Sequence, residues 1–192
     1  MKKNSSIIFS SLFFLCFISP AFAQEKMEYQ VLATSKTSTM EKEMNDYGKE
    51  GFYFVGAMGG ETSVGGKEAV VLMERPKNGK GSGHFEYALL ATNKTSTMQK
   101  EMNEAGAKGF LYRGQTVFES RFGGKEVVVF MEKSKSNEDL EEYLLLATSR
   151  TGTMQKELAA AAADGYIYAG VNVAETAFGG KEVVTILRRR KR

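Results

Sequence analysis

The strongest constraint on this chain is that it repeats itself. Thr37-Ser38-Thr39-Met40-Glu41-Lys42-Glu43 returns as Thr95-Ser96-Thr97-Met98-Gln99-Lys100-Glu101 and again as Thr151-Gly152-Thr153-Met154-Gln155-Lys156-Glu157, at spacings of 58 and then 56 residues. Gly65-Gly66-Lys67-Glu68, Gly123-Gly124-Lys125-Glu126 and Gly179-Gly180-Lys181-Glu182 keep the same phase. A fixed period means one supersecondary unit copied in tandem, so fold and function must be explicable for all three copies.

Each copy opens on a strand: Tyr29 to Thr34, Tyr87 to Thr92 and Tyr143 to Thr148. In the second and third copies both alternating faces are apolar, as for a strand covered on both sides. A polar loop and a helix follow. Ser38 with Glu41, and Ser96 with Gln99, have capping-box spacing, and Gly152 with Gln155 is a weaker version. Met40, Met44 and Tyr47, then Met98, Met102 and Ala105, then Met154, Leu158 and Ala161 form one apolar stripe per helix. Gly51, Gly109 and Gly165 stand where a left-handed residue would end it.

A hairpin closes the unit. Its first strand starts at Phe52, Phe110 or Tyr166, and the Gly-Gly pairs suit a two-residue turn. That register sets Arg121 opposite Glu126, a surface pair worth under ~1 kcal/mol. The return strands from Ala69, Val127 and Val183 are apolar on both faces.

The unit is therefore β-α-β-β, and it buries too little surface to be comfortable alone. One sheet face takes the helix and the other needs a cover. The expectation is an α+β fold of three tandem repeats packed with pseudo-threefold symmetry, sheets inward and helices outward. Repeat 1 covers 27–76, repeat 2 85–133 and repeat 3 142–192, joined by linkers 77–84 and 134–141. Independent beads on a string are the alternative.

Met44-Asn45 through Gly48 to Gly51-Phe52, and Met102-Asn103 through Gly106 to Gly109-Phe110, lead to a hairpin whose last strand, Val70 to Pro76, ends in Glu-Arg-Pro. This resembles a small bacterial domain family of unknown function that reads Leu-Asn-x-x-Gly-x-x-Gly-Trp before a strand ending in Lys/Arg-Pro. The third copy departs, with Ala159 to Ala163 where Asn and Gly stand, and Phe or Tyr replaces Trp throughout. The resemblance implies a βαββ fold and carries no established catalytic residues.

The N-terminus has the pattern of an export signal. Lys2 and Lys3 precede an apolar stretch from Ile7 to Ile18, Pro20 breaks it, and Ala21-Phe22-Ala23 offers cleavage after Ala23. A periplasmic or secreted protein is expected, a retained anchor being the alternative. Cys16 is the only cysteine and lies in this segment, so the mature chain has no disulfide. Without Lys2 and Lys3 the 26 basic residues fall to 24 against 23 acidic, and five of those are Arg188, Arg189, Arg190, Lys191 and Arg192 at the very end. The positive charge is a terminal run rather than a basic face, so nucleic acid is not an expected partner. The run reads as a frayed, solvated strand end, or as weak contact with an anionic surface.

Little here suggests an enzyme. His84 is the only histidine and sits in a linker, so neither a zinc ligand set nor a nucleophile–base pair is readable. No metal or cofactor is expected. Gly-Gly-Lys-Glu lacks the long glycine-rich span and following helix of a phosphate loop. Glu61, Glu119 and Glu175 recur in phase and read as surface carboxylates, unless they converge into a cation or acid site. The nine methionines after Met1 read as core filling.

The strand-to-helix loops are richer. Lys36, Thr37 and Thr39, Lys94, Thr95 and Thr97, and Arg150, Thr151 and Thr153 place a cation and hydroxyls at helix starts. Free N–H groups there can hold a carboxylate, sulfate or phosphate; the alternative is that the hydroxyls serve only the helix cap and the loop backbone. The expected function is a non-enzymatic, exported binding protein that takes an anionic ligand at these loops. The alternative is a structural or protein–protein component of the envelope without a small-molecule ligand.

Overall fold

A computed structural model of the protein describes residues 26–62, 66–78, 83–92, 94–119, 125–136, 139–175 and 181–191. The export signal with Cys16 lies outside them, as do Arg121 and most of the hairpin glycines. The fold is α+β and is built from three βαββ units. Unit 1 comprises β1 (Met27–Thr34), α1 (Thr37–Lys49), β2 (Tyr53–Thr62) and β3 (Gly66–Pro76). Unit 2 comprises β4 (Phe85–Thr92), α2 (Thr95–Gly106), β5 (Leu111–Glu119) and β6 (Lys125–Ser134). Unit 3 comprises β7 (Glu141–Thr148), α3 (Thr151–Ala163), β8 (Ile167–Glu175) and β9 (Lys181–Arg190).

Each sheet is antiparallel with its last strand central, in the orders β1-β3-β2, β4-β6-β5 and β7-β9-β8. The central strands are apolar on both faces, and in sheet 2 Val128 and Phe130 of β6 enter one core while Val129 and Met131 enter the other. Gly51, Gly109 and Gly165 end the helices with φ of 88°, 86° and 82°. Beyond each glycine an amide reaches back five residues, Phe52 N–H to the Tyr47 carbonyl and Phe110 N–H to that of Ala105, both 3.1 Å.

The helix starts differ from the expectation. They begin at Thr37, Thr95 and Thr151, with Lys36, Lys94 and Arg150 as N-caps and no side-chain cap. Ser38 and Ser96 lie inside the first turn, so no capping box forms. Glu41 and Gln99, its expected second members, are engaged elsewhere: they accept from the amides of Leu89 and Leu145 in the following unit, each at 2.8 Å.

The hairpin register is also shifted from the expectation. Thr62 pairs with Gly66 and Glu61 with Lys67, so Gly66 belongs to β3 rather than to a two-residue turn. Glu126 stands opposite Phe118, not Arg121. A bulge after Phe54, Tyr112 and Tyr168 adds a residue to the first strand of each hairpin at the end far from the turn.

Two cores hold the chain together, and each spans a pair of units. The first gathers Leu32, Met40, Met44, Val71 and Met73 of unit 1 with Tyr87, Leu89, Val128 and Phe130 of unit 2. The second gathers Met98, Met102, Val129 and Met131 of unit 2 with Tyr143, Leu145, Val184 and Ile186 of unit 3. Sheet 2 is therefore covered on both faces, and beads on a string are ruled out. The expected closed trio, sheets inward and helices outward, is not formed either. The buried sides of α1 and α2 are shared between successive units, and each packs more on the first strand of the next unit than on that of its own. Closure would bury the outer face of sheet 1, yet Tyr29 and Val31 on it are 60% and 59% exposed. The units are stacked in series, open at both ends.

The stacking needs a bare helix surface. A Cβ on Gly48 would run into the Phe85 carbonyl oxygen of β4, and one on Gly106 into that of Glu141 of β7. Gly48→Ala or Gly106→Ala should therefore lower stability by about 1–3 kcal/mol. Helix propensity alone would make the same change favourable by about 1 kcal/mol. Ala162→Gly, at the matching exposed position of α3, should cost no more than that propensity difference. Urea midpoints of the three variants check both signs.

Candidate functional site

The three strand-to-helix loops sit in separate places. Thr34 Oγ1 accepts from Lys36 N–H at 3.2 Å, Thr92 from Lys94 at 3.2 Å and Thr148 from Arg150 at 3.1 Å, so these hydroxyls hold the loop backbone. Thr37 and Thr39 are partly buried, as are Thr95 and Thr97, whereas Thr151 and Thr153 are exposed. Lys36, Lys94 and Arg150 point to solvent.

Under α1, Thr34, Lys36 and Thr37 edge a cleft of about 10 Å³ walled by Met40, Leu89, Val128 and Phe130. Under α2, Thr92, Lys94 and Thr95 edge one of about 20 Å³ walled by Met98, Val129, Leu145 and Ile186. Such volumes admit about one water. An anion could meet these loops only at the surface.

Glu61, Glu119 and Glu175 lie at the hairpin ends of β2, β5 and β8, facing Lys67, Lys125 and Lys181 in the ladder, and belong to three different sheets. Their side chains are outside the described residues. Among the described residues, no group of His, Cys, Asp and Glu could hold a metal ion, and no helix is long and apolar enough to cross a membrane.

The basic run is not a frayed end as far as Arg190. It is part of β9, and its arginines are paired: Arg188 to Glu141 at 2.7 Å, Arg189 to Glu142 at 2.9 Å and Arg190 to Asp139 at 2.9 Å. Arg189 also stacks on the Tyr166 ring, 4.4 Å from its centre. Arg189 faces Glu142 in the ladder, while Arg188 and Arg190 reach diagonally to Glu141 and to Asp139 just before β7. Lys191 is exposed, and Arg192 lies outside the described residues.

The most developed polar chemistry lies in the joints between units. Asn45 of α1 bonds the free edge of β4 as a strand would, donating to the Tyr87 carbonyl at 2.9 Å and accepting from its N–H at 3.0 Å. Asn103 of α2 does the same to Tyr143 of β7, at 2.9 and 2.8 Å. With Glu41 and Gln99 these amides occupy edge groups that would otherwise be open to pairing.

Beneath each clasp sits a buried carboxylate. Glu132, 3% exposed, accepts from Tyr87 Oη at 2.8 Å, Arg113 Nε at 2.8 Å and Phe54 N–H at 3.1 Å. In the second joint Arg188 stands at the position of Glu132, and Glu141 supplies the carboxylate, accepting from Tyr143 Oη and Arg188 at 2.7 Å each. Every buried charge here is paired; the Phe54 N–H reaches Glu132 across the first joint, whereas Tyr143 and Arg188 belong to the same unit as Glu141.

The outer face of sheet 1 is the unused counterpart of those joints. By strand register Tyr29, Glu74 and Tyr53 form one row, Val31, Leu72 and Gly56 a second, and Ala33, Val70 and Met58 a third. The corresponding Tyr87 and Leu89 are 4% and 9% exposed, and Tyr143 and Leu145 1% and 8%, because a preceding unit covers them. At the other end, Tyr168, Val171 and Val173 of β8 are exposed beside α3. No sequence motif marked these faces; the signal lay in comparing the copies, since the third lacks the Asn and Gly that the first two carry.

No protein-family model, curated protein or solved structure matches the chain.

The joint tyrosines make stability depend on alkaline pH. Burial, and then the neighbouring Glu132, pushes the Tyr87 hydroxyl far above its ordinary 10.0. Burial, and then the hydrogen bond to Glu141, does the same to Tyr143. Burial, and then Tyr168, pushes Tyr112 up to about 12. A raised folded-state pKa means the folded chain keeps protons that the unfolded chain loses. This stabilisation is complete below pH 10 and declines as pH rises above it. Tm measured from about pH 8 to about pH 11 should fall on the alkaline side, less steeply in Tyr87→Phe/Tyr143→Phe. The double variant should also be about 1–3 kcal/mol less stable at neutral pH, having left buried acceptors short of a donor.

Proposed function

We propose that this protein is a non-enzymatic binding component that docks a protein partner on the outer face of sheet 1. The observation that carries the reading is the contrast between copies: Tyr29 and Val31 are 60% and 59% exposed where their counterparts in units 2 and 3 are at most 9% exposed. Val31, Leu72, Val70 and Met58 make this an apolar surface beside an unclasped strand edge, and such surfaces mark interaction sites. The clefts beneath the helices are too small for a small-molecule substrate, and Glu132 and Glu141 are already paired, which supports binding over catalysis. The export signal read from the sequence places the partner in the cell envelope or outside the cell.

The test puts a photo-crosslinking residue at Val31 in the producing cell, with Lys42 on the exposed side of α1 as control. One discrete adduct should form from position 31 and be lost in Leu72→Glu. Equal labelling from both positions would remove the reading.

A second reading keeps the anion at the helix starts. It is favoured by one observation, that none of the three N-caps carries a side-chain hydrogen bond, which leaves N–H groups beside Lys36, Lys94 and Arg150. Titration with inorganic phosphate or sulfate by calorimetry should then show saturable binding that weakens about tenfold or more in the triple Ala variant of these cations. Unchanged affinity in the variant removes the site.

A further inference from the structure

Whatever docks on unit 1 meets one half of a joint that the molecule builds twice elsewhere. The joint has a donating side and a receiving side. The donor is a helix that presents Met, a carboxylate or carboxamide, Asn and Gly at fixed spacing: Met40, Glu41, Asn45 and Gly48, or Met98, Gln99, Asn103 and Gly106. An aromatic ring from the next strand assists, Phe54 or Tyr112, seated on a glycine of the following sheet, Gly114 or Gly170. The receiver is a sheet with a free first-strand edge, a Tyr-apolar alternation along that strand and that glycine.

The two ends of the chain have not diverged alike. Sheet 1 keeps the receiving features: Tyr29 and Val31 on β1, apolar Leu72 and Val70 on β3, and Gly56 at the position of Gly114 and Gly170. Gly56 has no positive φ, and no atom of the described residues lies near the place of its absent Cβ, so nothing among the described residues requires a glycine there. Helix α3 keeps Met154 and Gln155 but has lost the two groups that touch a following unit, Asn to Ala159 and Gly to Ala162. Without the amide, a strand edge laid against α3 leaves an N–H and a carbonyl without partners. With Ala162, the approach made at Gly48 and Gly106 would drive a methyl group into the strand's carbonyl.

We propose that the outer face of sheet 1 is a working socket for a βαββ unit of another chain, one whose helix carries the Asn and Gly, and that α3 is a stop that keeps this chain from filling its own socket. The proposal rests on reading that face as a docking surface and adds the class of partner. Continuity with the two internal joints supplies the geometry: the partner's helix lies along the edge of β1, its Asn bonds the backbone of Tyr29, its Glu or Gln accepts from the Val31 amide, and its aromatic ring covers Gly56. A head-to-tail copy of this chain fails at the first two contacts, so the chain remains three units long instead of growing into an open filament.

The experiment restores the donor in the full chain with Ala159→Asn and Ala162→Gly, both at exposed positions of α3. Sedimentation velocity should find the unaltered chain monomeric and the double variant self-associating head to tail. The variant's dissociation constant should be about tenfold lower or better, and Val31→Glu in its background should restore the monomer. Labelled unaltered chain mixed with excess double variant should show energy transfer, reading the natural socket directly. A folded double variant that stays monomeric and gives no transfer overturns the βαββ partner; a persistent position-31 adduct would then leave the docking reading standing, and loss of both removes both. Equal association of the unaltered chain and the variant overturns the stop. If the double change disturbs folding, Ala162→Gly alone removes the clash and is judged by the same outcomes.

Discussion

The clasp between a helix and the first strand of the next unit is the interaction on which the rest depends. It solves two problems at one place. A three-stranded sheet has two edges, and an open edge invites pairing with other chains. It also has two faces, of which its own helix hides one. By laying α1 against β4, and α2 against β7, the chain closes an edge with side-chain amides and brings the next sheet's bare face over the same helix. Gly48 and Gly106 set the distance, and the amides of Asn45 and Asn103 set the register. The apolar contacts of Met40, Met44, Met98 and Met102 then follow from that placement.

The buried carboxylates have a place in this scheme. A charge as deep as Glu132 is expensive unless every oxygen is met, and here a tyrosine, an arginine and a backbone amide from two units meet it. Tyr87 and Arg113 belong to Glu132's own unit, and docking, which buries the charge, brings the Phe54 amide of unit 1 to meet it. The second joint keeps a buried acid–base pair with different residues, Arg188 standing at the position of Glu132 and Glu141 supplying the acid from the start of β7. What is common to the joints is therefore the satisfied buried pair, not the residue at one position. A surface patterned by such joints, with one receiving face left open, suits a binding role better than a catalytic one.

Much of each unit was legible in the residues themselves. The strands begin close to Tyr29, Tyr87 and Tyr143, the methionine stripes of α1 and α2 face the cores while Met154 and Leu158 of α3 stay half-buried, and the left-handed glycines end the helices. The errors arose where a local motif competed with a distant partner. Ser38 and Glu41 have the spacing of a capping box, but Glu41 accepts from Leu89, which is 48 residues away. The arginines at the end look like a loose tail until the acidic residues of β7 lie opposite them. The glycine pairs suggest a tight turn, yet the ladder ends with Thr62 opposite Gly66, so Gly66 stands in the strand. Of the candidate loops, the residues were identified correctly as helix starts, but their separation and the small clefts beneath them depend on how the sheets stack.

By itself, the sequence determined the repeated βαββ unit, its closing hairpin and the buried stripes of α1 and α2, because periodicity acts over short stretches of chain. Tertiary structure alone decided that the units run in series rather than close on themselves. That choice turns on whether a helix backbone can touch a strand edge, which Gly48 and Gly106 permit and Ala162 does not. The same local pattern is compatible with either arrangement until atoms from separate copies are brought within bonding distance.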